Sequence, residues 1–124
     1  LNIKFAWIVN SEDGLDEISP YAKTSVIEIR NNQMSEITID PKNLKINAND
    51  FKNLIGDTDE FNANQIINVF KGEDNDFSKA ICLNAAAGLI VSEKFNKFID
   101  AYHNAREHIL TGKTYNHLKM MQND

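Results

Sequence analysis

Apolar positions change their period once along the chain, near Asn49. Before it they come in short runs. Ile3 to Val9 holds Ile3, Phe5, Trp7, Ile8 and Val9 with almost no polar interruption. Such a run predicts a strand buried on both faces, as in a parallel sheet. The polar stretch Asn10-Ser11-Glu12-Asp13-Gly14 has turn chemistry and ends it. Two further strands are predicted over 24–30 and 36–40. In the first, Ser25, Ile27 and Ile29 alternate with Val26, Glu28 and Arg30; in the second, Ile37 and Ile39 alternate with Glu36, Thr38 and Asp40. Asn31-Asn32 between them tolerates positive φ and predicts a hairpin, and Pro41 stops the second strand.

After Asn49 the period is helical. A helix over about 60–71 puts Ile66, Ile67 and Phe70 on one face, with Asp57 or Asp59 as cap and Gly72 just past its end. A second, over about 78–91, has Asp76 or Ser78 as cap and is apolar almost all round, which predicts a place between layers. Within it the small residues Ala85, Ala86, Ala87 and Gly88 allow close approach of backbone, and Asn84 is the polar exception whose amide needs partners. Its expected partner is the backbone of an adjoining loop. A third helix, over about 93–111, carries Phe95, Phe98, Ile99, Tyr102, Ala105 and Ile109 on one stripe, and Gly112 suits its C′ position. Residues 114–122 predict a short last helix. The sum is an α/β arrangement: a short strand plus a β-hairpin packed against three to four helices. Either the hairpin joins the first strand in a small mixed sheet, or the missing strands lie outside this chain.

The length of 124 residues is that of one domain, and 42% apolar with 25% charged residues is ordinary for a globular one. A net charge of −5, with lysines scattered singly, counts against a nucleic-acid phosphate backbone as partner. The longest apolar stretch, Ala80 to Val91, is about twelve residues, short of the ~20 that span a bilayer. Leu1-Asn2-Ile3-Lys4-Phe5 lacks a signal-peptide layout. The chain starts at Leu, so an excised piece of something longer is expected. The single cysteine, Cys82, excludes an internal disulfide and is compatible with a reducing compartment.

Asp16 and Glu17 lead the candidates for chemistry. They lie in Gly14-Leu15-Asp16-Glu17-Ile18-Ser19, after the C-terminal end of the first strand, where parallel α/β sheets bind ligands. Two adjacent hard oxygen donors suit Mg²⁺, which takes one or two carboxylates, waters and substrate phosphates. Taken alone, the pair reads first as a solvated acidic turn, because such dipeptides are common on surfaces.

The stretch from Phe5 to Ser19, with its Gly-Leu-Asp-Glu-Ile-Ser loop, resembles the anthranilate phosphoribosyltransferase family. So do Lys23 to Ile29, Ile55-Gly56-Asp57, Asn62-Ala63, Val69 to Gly72, Lys79 to Leu89 with Leu-Asn-Ala-Ala-Ala at its centre, and Ala101 to Gly112. The resemblance covers nearly the whole chain in order and spacing. It implies that residues 1–124 form a single-domain fragment, the C-terminal portion of a nucleoside phosphorylase/phosphoribosyltransferase-type α/β domain. The family transfers phosphoribosyl from phosphoribosyl pyrophosphate to anthranilate, expelling pyrophosphate, in tryptophan biosynthesis. Carried over, Asp16 and Glu17 are ligands of Mg²⁺, the implied cofactor, and not general acids or bases. The family's Gly-Thr-Gly-Gly-Asp and Lys-His-Gly-Asn segments do not occur here, so no catalytic residue is assigned and the isolated chain is expected to be inactive. The implied intact enzyme is cytoplasmic and a homodimer through a helical domain that is not part of this chain, with no membrane or nucleic acid as partner. Asn10-Ser11 replaces the usual His-Gly and Ser78-Lys79 a common Arg-Asp, the first within a loop of unchanged length.

Two alternatives stand beside this reading: a non-catalytic nucleic-acid-binding relative on the same scaffold, and a pyrimidine nucleoside phosphorylase relative. Other residues point to less. His103 and His108 are five apart, which puts them on different faces of a helix, and His117 has no ligand partner nearby. Cys82 reads as a buried inert thiol and Trp7 as core. Asp74-Asn75-Asp76 lacks the Gly and distant Glu of a calcium loop and reads as a capping turn.

Overall fold

The computed structural model describes residues 3–124. The reading of the first five residues as no signal peptide falls partly on Leu1 and Asn2, outside the described residues. Three strands come first: β1 (Phe5–Ser11), β2 (Thr24–Arg30) and β3 (Gln33–Ile39). A 3₁₀ turn (Phe51–Leu54) leads into α1 (Asp59–Phe70), α2 (Asp76–Val91), α3 (Phe98–Leu110) and α4 (Lys113–Gln122).

The sheet has the order β1-β2-β3 and is antiparallel throughout. Asn31 and Asn32, at φ 50° and 62°, make the tight turn between β2 and β3, as the sequence predicts. The expected parallel, doubly buried first strand is corrected. β1 pairs with β2 with Val9 opposite Val26, and it has two unequal faces. Phe5, Trp7 and Val9 pack on the core, whereas Ile8 is 56% exposed and lies opposite the exposed Ile27. An uninterrupted apolar run carries no period, so it cannot distinguish these cases. The argument that ligands gather at the end of a parallel strand falls with it.

Helix ends explain the shifted boundaries. The Thr58 side chain, not Asp57 or Asp59, caps α1 by accepting from the Phe61 N–H at 3.2 Å. Past α1, Gly72 sits at φ 108°, where a Cβ would come within 3.0 Å of the Leu110 carbonyl oxygen. Asn75 caps α2 in a reciprocal box with Ser78, so the helix starts before 78 and Asp76 lies inside its first turn. α2 ends in a Schellman-type turn: Lys94 N–H donates to the Leu89 carbonyl and Glu93 N–H to that of Ile90, with Glu93 at φ 61°. That turn delays α3 to Phe98 and leaves Phe95 outside it. Glutamate at a position that usually takes glycine hid this break from the sequence. Gly112, at φ 80°, separates α3 from α4.

The core lies between the inner sheet face, α2 and α3. Val26, Val69, Cys82, Leu83, Ala86 and Ala101 are fully buried in it, and Trp7 meets Phe98 at 5.9 Å between ring centres. α2 is central, but it is not enclosed on all sides. Ala85 and Gly88 are exposed, and a Cβ on Gly88 would meet nothing within 4 Å. Among the described residues no helix is long and apolar enough to cross a membrane.

Candidate functional site

The segment between β1 and β2 is irregular but held along its length. Its entry closes with Gly14 N–H donating to the Ser11 carbonyl and Ser11 N–H to that of Leu15 (3.0 and 3.1 Å). Asp13 then acts as a local brace. It accepts from the Leu15 N–H at 3.3 Å and from the Ser19 hydroxyl at 2.5 Å. Burial works to raise its pKa, but hydrogen bonds from Ser19, Ser11 and the Leu15 amide outweigh that and hold the carboxylate below its ordinary value. Ser19 Oγ in turn accepts from the Tyr21 and Ala22 N–H groups, and the Ser19 N–H donates to Thr24 Oγ1.

Asp16 and Glu17 occupy the crest of this loop and are exposed. Neither side chain takes part in a hydrogen bond or ion pair among the described residues. The next residue is the opposite: Ile18 is 1% exposed and belongs to the core. Its backbone is gripped by α2. Ile18 N–H donates to Asn84 Oδ1 at 2.9 Å, and Asn84 Nδ2 donates to the Ile18 carbonyl at 3.1 Å and to that of Ala80 at 2.9 Å. The expected link from Asn84 to an adjoining loop is present, and the loop is the one that bears Asp16 and Glu17.

A second acidic site lies further along the chain. Asp76 is 2% exposed at the start of α2. Its Oδ2 accepts from the N–H groups of Asn49 (2.8 Å) and Asp50 (3.2 Å) and from Asn53 Nδ2 (2.9 Å), with the Tyr21 hydroxyl at 3.1 Å. Its Oδ1 pairs with Lys79 Nζ at 3.1 Å. Burial alone would raise its pKa; the donors from Asn53, Asn49, Asp50 and Lys79 reverse that and hold it well below the ordinary carboxylate range. Tyr21, half-buried and facing this carboxylate, has its pKa pushed up, by loss of solvent and by its hydrogen bond to Asp76. These contacts tie the far limb of the Asp-Glu loop, through Tyr21, to α2 and the 49–53 segment. No sequence signal marked them, because the donors are brought together from positions far apart.

The remaining candidates stand as the sequence reads them. His103, His108 and His117 are exposed. Cys82 is buried, and burial pushes its thiol up to about 11, which leaves it inert at neutral pH. Asp74 pairs with Arg106 through two bonds of 2.8 and 3.0 Å, and Asn75 caps α2, so this turn is a capping structure.

Chemically, Asp16 and Glu17 offer two carboxylates, hard anionic oxygen donors with no partner among the described residues, on a braced backbone. Among the described residues no third His, Cys, Asp or Glu joins them in a metal-holding group. A donor set of this kind fits a hard divalent cation that fills its other positions with water and phosphate oxygens. It does not fit a closed structural zinc site.

Residues 1–115 match the glycosyl transferase family, a/b domain. A protein from Pelagibacter ubique (strain HTCC1062), named anthranilate phosphoribosyltransferase, is 68% identical over 123 residues, which are 99% of this chain and 37% of that protein. One of the same name from Alkaliphilus metalliredigens (strain QYMF) is 32% identical over 98% of this chain and 36% of its own length. This chain thus spans little more than a third of the curated relatives it matches. Among solved structures, the anthranilate phosphoribosyltransferase of Thermus thermophilus superimposes with a TM-score of 0.83 at 24% identity, over 94% of this chain and 34% of that one. The enzyme of Saccharomyces cerevisiae in complex with PRPP and Mg gives 0.78 at 24% identity, over 91% and 33%. At these identities the superpositions speak for the fold.

Proposed function

The chain belongs to the glycosyl transferase family, a/b domain, and from that premise we propose that it supplies the C-terminal, metal-holding part of an anthranilate phosphoribosyltransferase. The observation that carries the reading is the Asp16-Glu17 crest: two free carboxylates on a loop whose flanks are braced at Asp13 and Ser19 and clamped at Ile18. The intact enzyme transfers phosphoribosyl from phosphoribosyl pyrophosphate to anthranilate and releases pyrophosphate. Asp16 and Glu17 would hold Mg²⁺ there, through their carboxylate oxygens. The ion, when bound, neutralises charge developing on the diphosphate.

This chain's own contribution is placement. The crest carboxylates face solvent, so they bind a hydrated cation without stripping all its waters. The braces beneath them hold the backbone under two negative groups, and among the described residues no protein cation pairs with either one. The intact enzyme of this reading draws its diphosphate and anthranilate loops from outside these 124 residues, and its homodimer from a helical domain that is likewise not part of them. The nucleic-acid-binding and pyrimidine nucleoside phosphorylase alternatives gain nothing from the relatives, which carry the transferase name.

The test uses the full-length enzyme bearing this segment. Asp16→Asn with Glu17→Gln should lower turnover most at limiting Mg²⁺ and be partly rescued by excess metal. Kinetics unchanged across a Mg²⁺ titration would reduce the pair to a surface turn. The isolated chain should form no phosphoribosyl anthranilate above a protein-free control.

A further inference from the structure

We propose that Asn84 is a positioning residue for the metal loop: its side-chain amide sets the orientation of Asp16 and Glu17 by holding both backbone polar groups of Ile18. The inference rests on the reading of Asp16 and Glu17 as metal ligands, and it assigns a role in that site to a residue of the apolar helix α2.

The geometry has three parts. First, the amide uses both its functions on one residue, accepting from Ile18 N–H at 2.9 Å and donating to the Ile18 carbonyl at 3.1 Å. That two-point grip fixes the peptide planes on either side of Ile18, and the first of these planes begins at Glu17. Second, the remaining amide hydrogen donates to the Ala80 carbonyl at 2.9 Å, one turn back on the same helix. This bond restrains the side-chain rotamer in the gripping position. Third, α2 offers a rigid base. Leu83, on one side of Asn84, is fully buried, as is Ala86 two residues on. Sixty-six positions of sequence separate the clamp from its target, so no local turn preference can replace it.

The loop needs such a clamp because its two carboxylates repel one another and have no protein cation at hydrogen-bond range among the described residues. Without a hold on Ile18, the crest could relax to carry Asp16 and Glu17 apart. With it, the cost of bringing two like charges together is met on folding, before the cation binds. Groups one step behind metal ligands commonly change metal affinity by about 10–100-fold when removed.

The test reads paramagnetic line broadening by Mn²⁺ in amide NMR spectra of the full-length enzyme bearing this segment, with pyrophosphate supplied as the phosphate probe. Four variants are compared with the unaltered chain: Asn84→Ala, Asn84→Ser, Ile90→Ala, and Asp16→Asn with Glu17→Gln. Serine is too short to reach Ile18 but can bond back to the Ala80 carbonyl, so at least one clamp variant keeps its local helix contact. Ile90→Ala weakens the same helix from its buried side without touching the loop. The expected result is that broadening around residues 15–18 needs about tenfold more Mn²⁺ in both Asn84 variants. Ile18 amide exchange should quicken in them, while Ile90→Ala keeps the original Mn²⁺ dependence despite a lower melting point. If the carboxylate variant loses the broadening but the Asn84 variants titrate like the unaltered chain, the positioning role is overturned and the metal reading stands. Equal weakening in Ile90→Ala would also overturn it, since general loosening of α2 would then explain the effect. Broadening that persists in the carboxylate variant would bring down the metal reading and this inference with it.

Discussion

Asp76 and the Asp16-Glu17 pair are acidic groups of one small domain treated in opposite ways. Asp76 is buried and surrounded by donors from the 49–53 segment, Tyr21 and Lys79. Both of its oxygens are engaged by the protein and the group is buried, so it can offer little to a ligand. Asp16 and Glu17 are exposed and accept from no described side chain, while the backbone beneath them is held tightly. The difference separates a carboxylate that organises the fold from carboxylates that the fold presents. Saturation, rather than burial or charge alone, distinguishes them: a carboxylate with its lone pairs filled is part of the scaffold, and one left open on a rigid backbone is available for chemistry.

The contrast predicts a large stability cost on one side only. Asp76→Ala takes the counter-charge from the Lys79 ammonium, which keeps the Asn47 carbonyl, and strands the Asn49 and Asp50 N–H groups, so it should cost about 3–5 kcal/mol. Urea unfolding of the 124-residue chain measures it; a loss well under 1 kcal/mol would mean the Asp76 cluster is not a scaffold element. Asn84→Leu sharpens the comparison from the link between the two regions. It strands the Ile18 N–H and carbonyl, and should cost about 1–3 kcal/mol. Ala86→Leu, which overpacks the buried side of the same helix, should cost a similar ~1–3 kcal/mol. If thermal melts of both stay at the parent value, α2 is not the central buried element.

Acid titration gives a smaller signal with a definite sign. The Asp76 pKa lies below its ordinary value of 3.8, so the native state binds that proton less readily than the unfolded chain. Its stabilising contribution is present above pH ~4 and is lost as pH falls through the native value. Asp74, lowered mainly by its bonds with Arg106, adds to the same trend. Denaturation midpoints followed downward from pH 5 should fall, and Asp76→Asn should fall less steeply from its lower starting point. A parallel slope in the two proteins would remove Asp76 from the account. The smallest stability effect belongs to the other side. Asp16→Asn with Glu17→Gln should leave the melting midpoint within about 2 °C of the unaltered chain. A larger drop would make these carboxylates structural too and erase the contrast.

Much of this molecule was legible along the chain. Asn31-Asn32 tolerate positive φ, a local preference that sets the hairpin without help from tertiary contacts. The apolar stripe through Phe98, Tyr102, Ala105 and Ile109 required a helix with one buried side, and all four pack in or against the core. The Gly-Leu-Asp-Glu-Ile-Ser loop and the Leu-Asn-Ala-Ala-Ala helix marked the family, because residue order carries that resemblance directly. These are local properties, expressed in spacing and backbone preference. The antiparallel partner of β1, the choice of Asn75 rather than Asp76 to cap α2, and the left-handed Glu93 that delays α3 were settled by tertiary structure. Each depends on which groups are left unpaired once the elements meet. The site divides the same way. Its carboxylates are adjacent in sequence and could be found there, whereas the grip of Asn84 on Ile18 and the ring of donors around Asp76 join distant positions. Hydrogen bonds of that kind form only where packing has excluded water and left no other partner, a condition that no short stretch of sequence records.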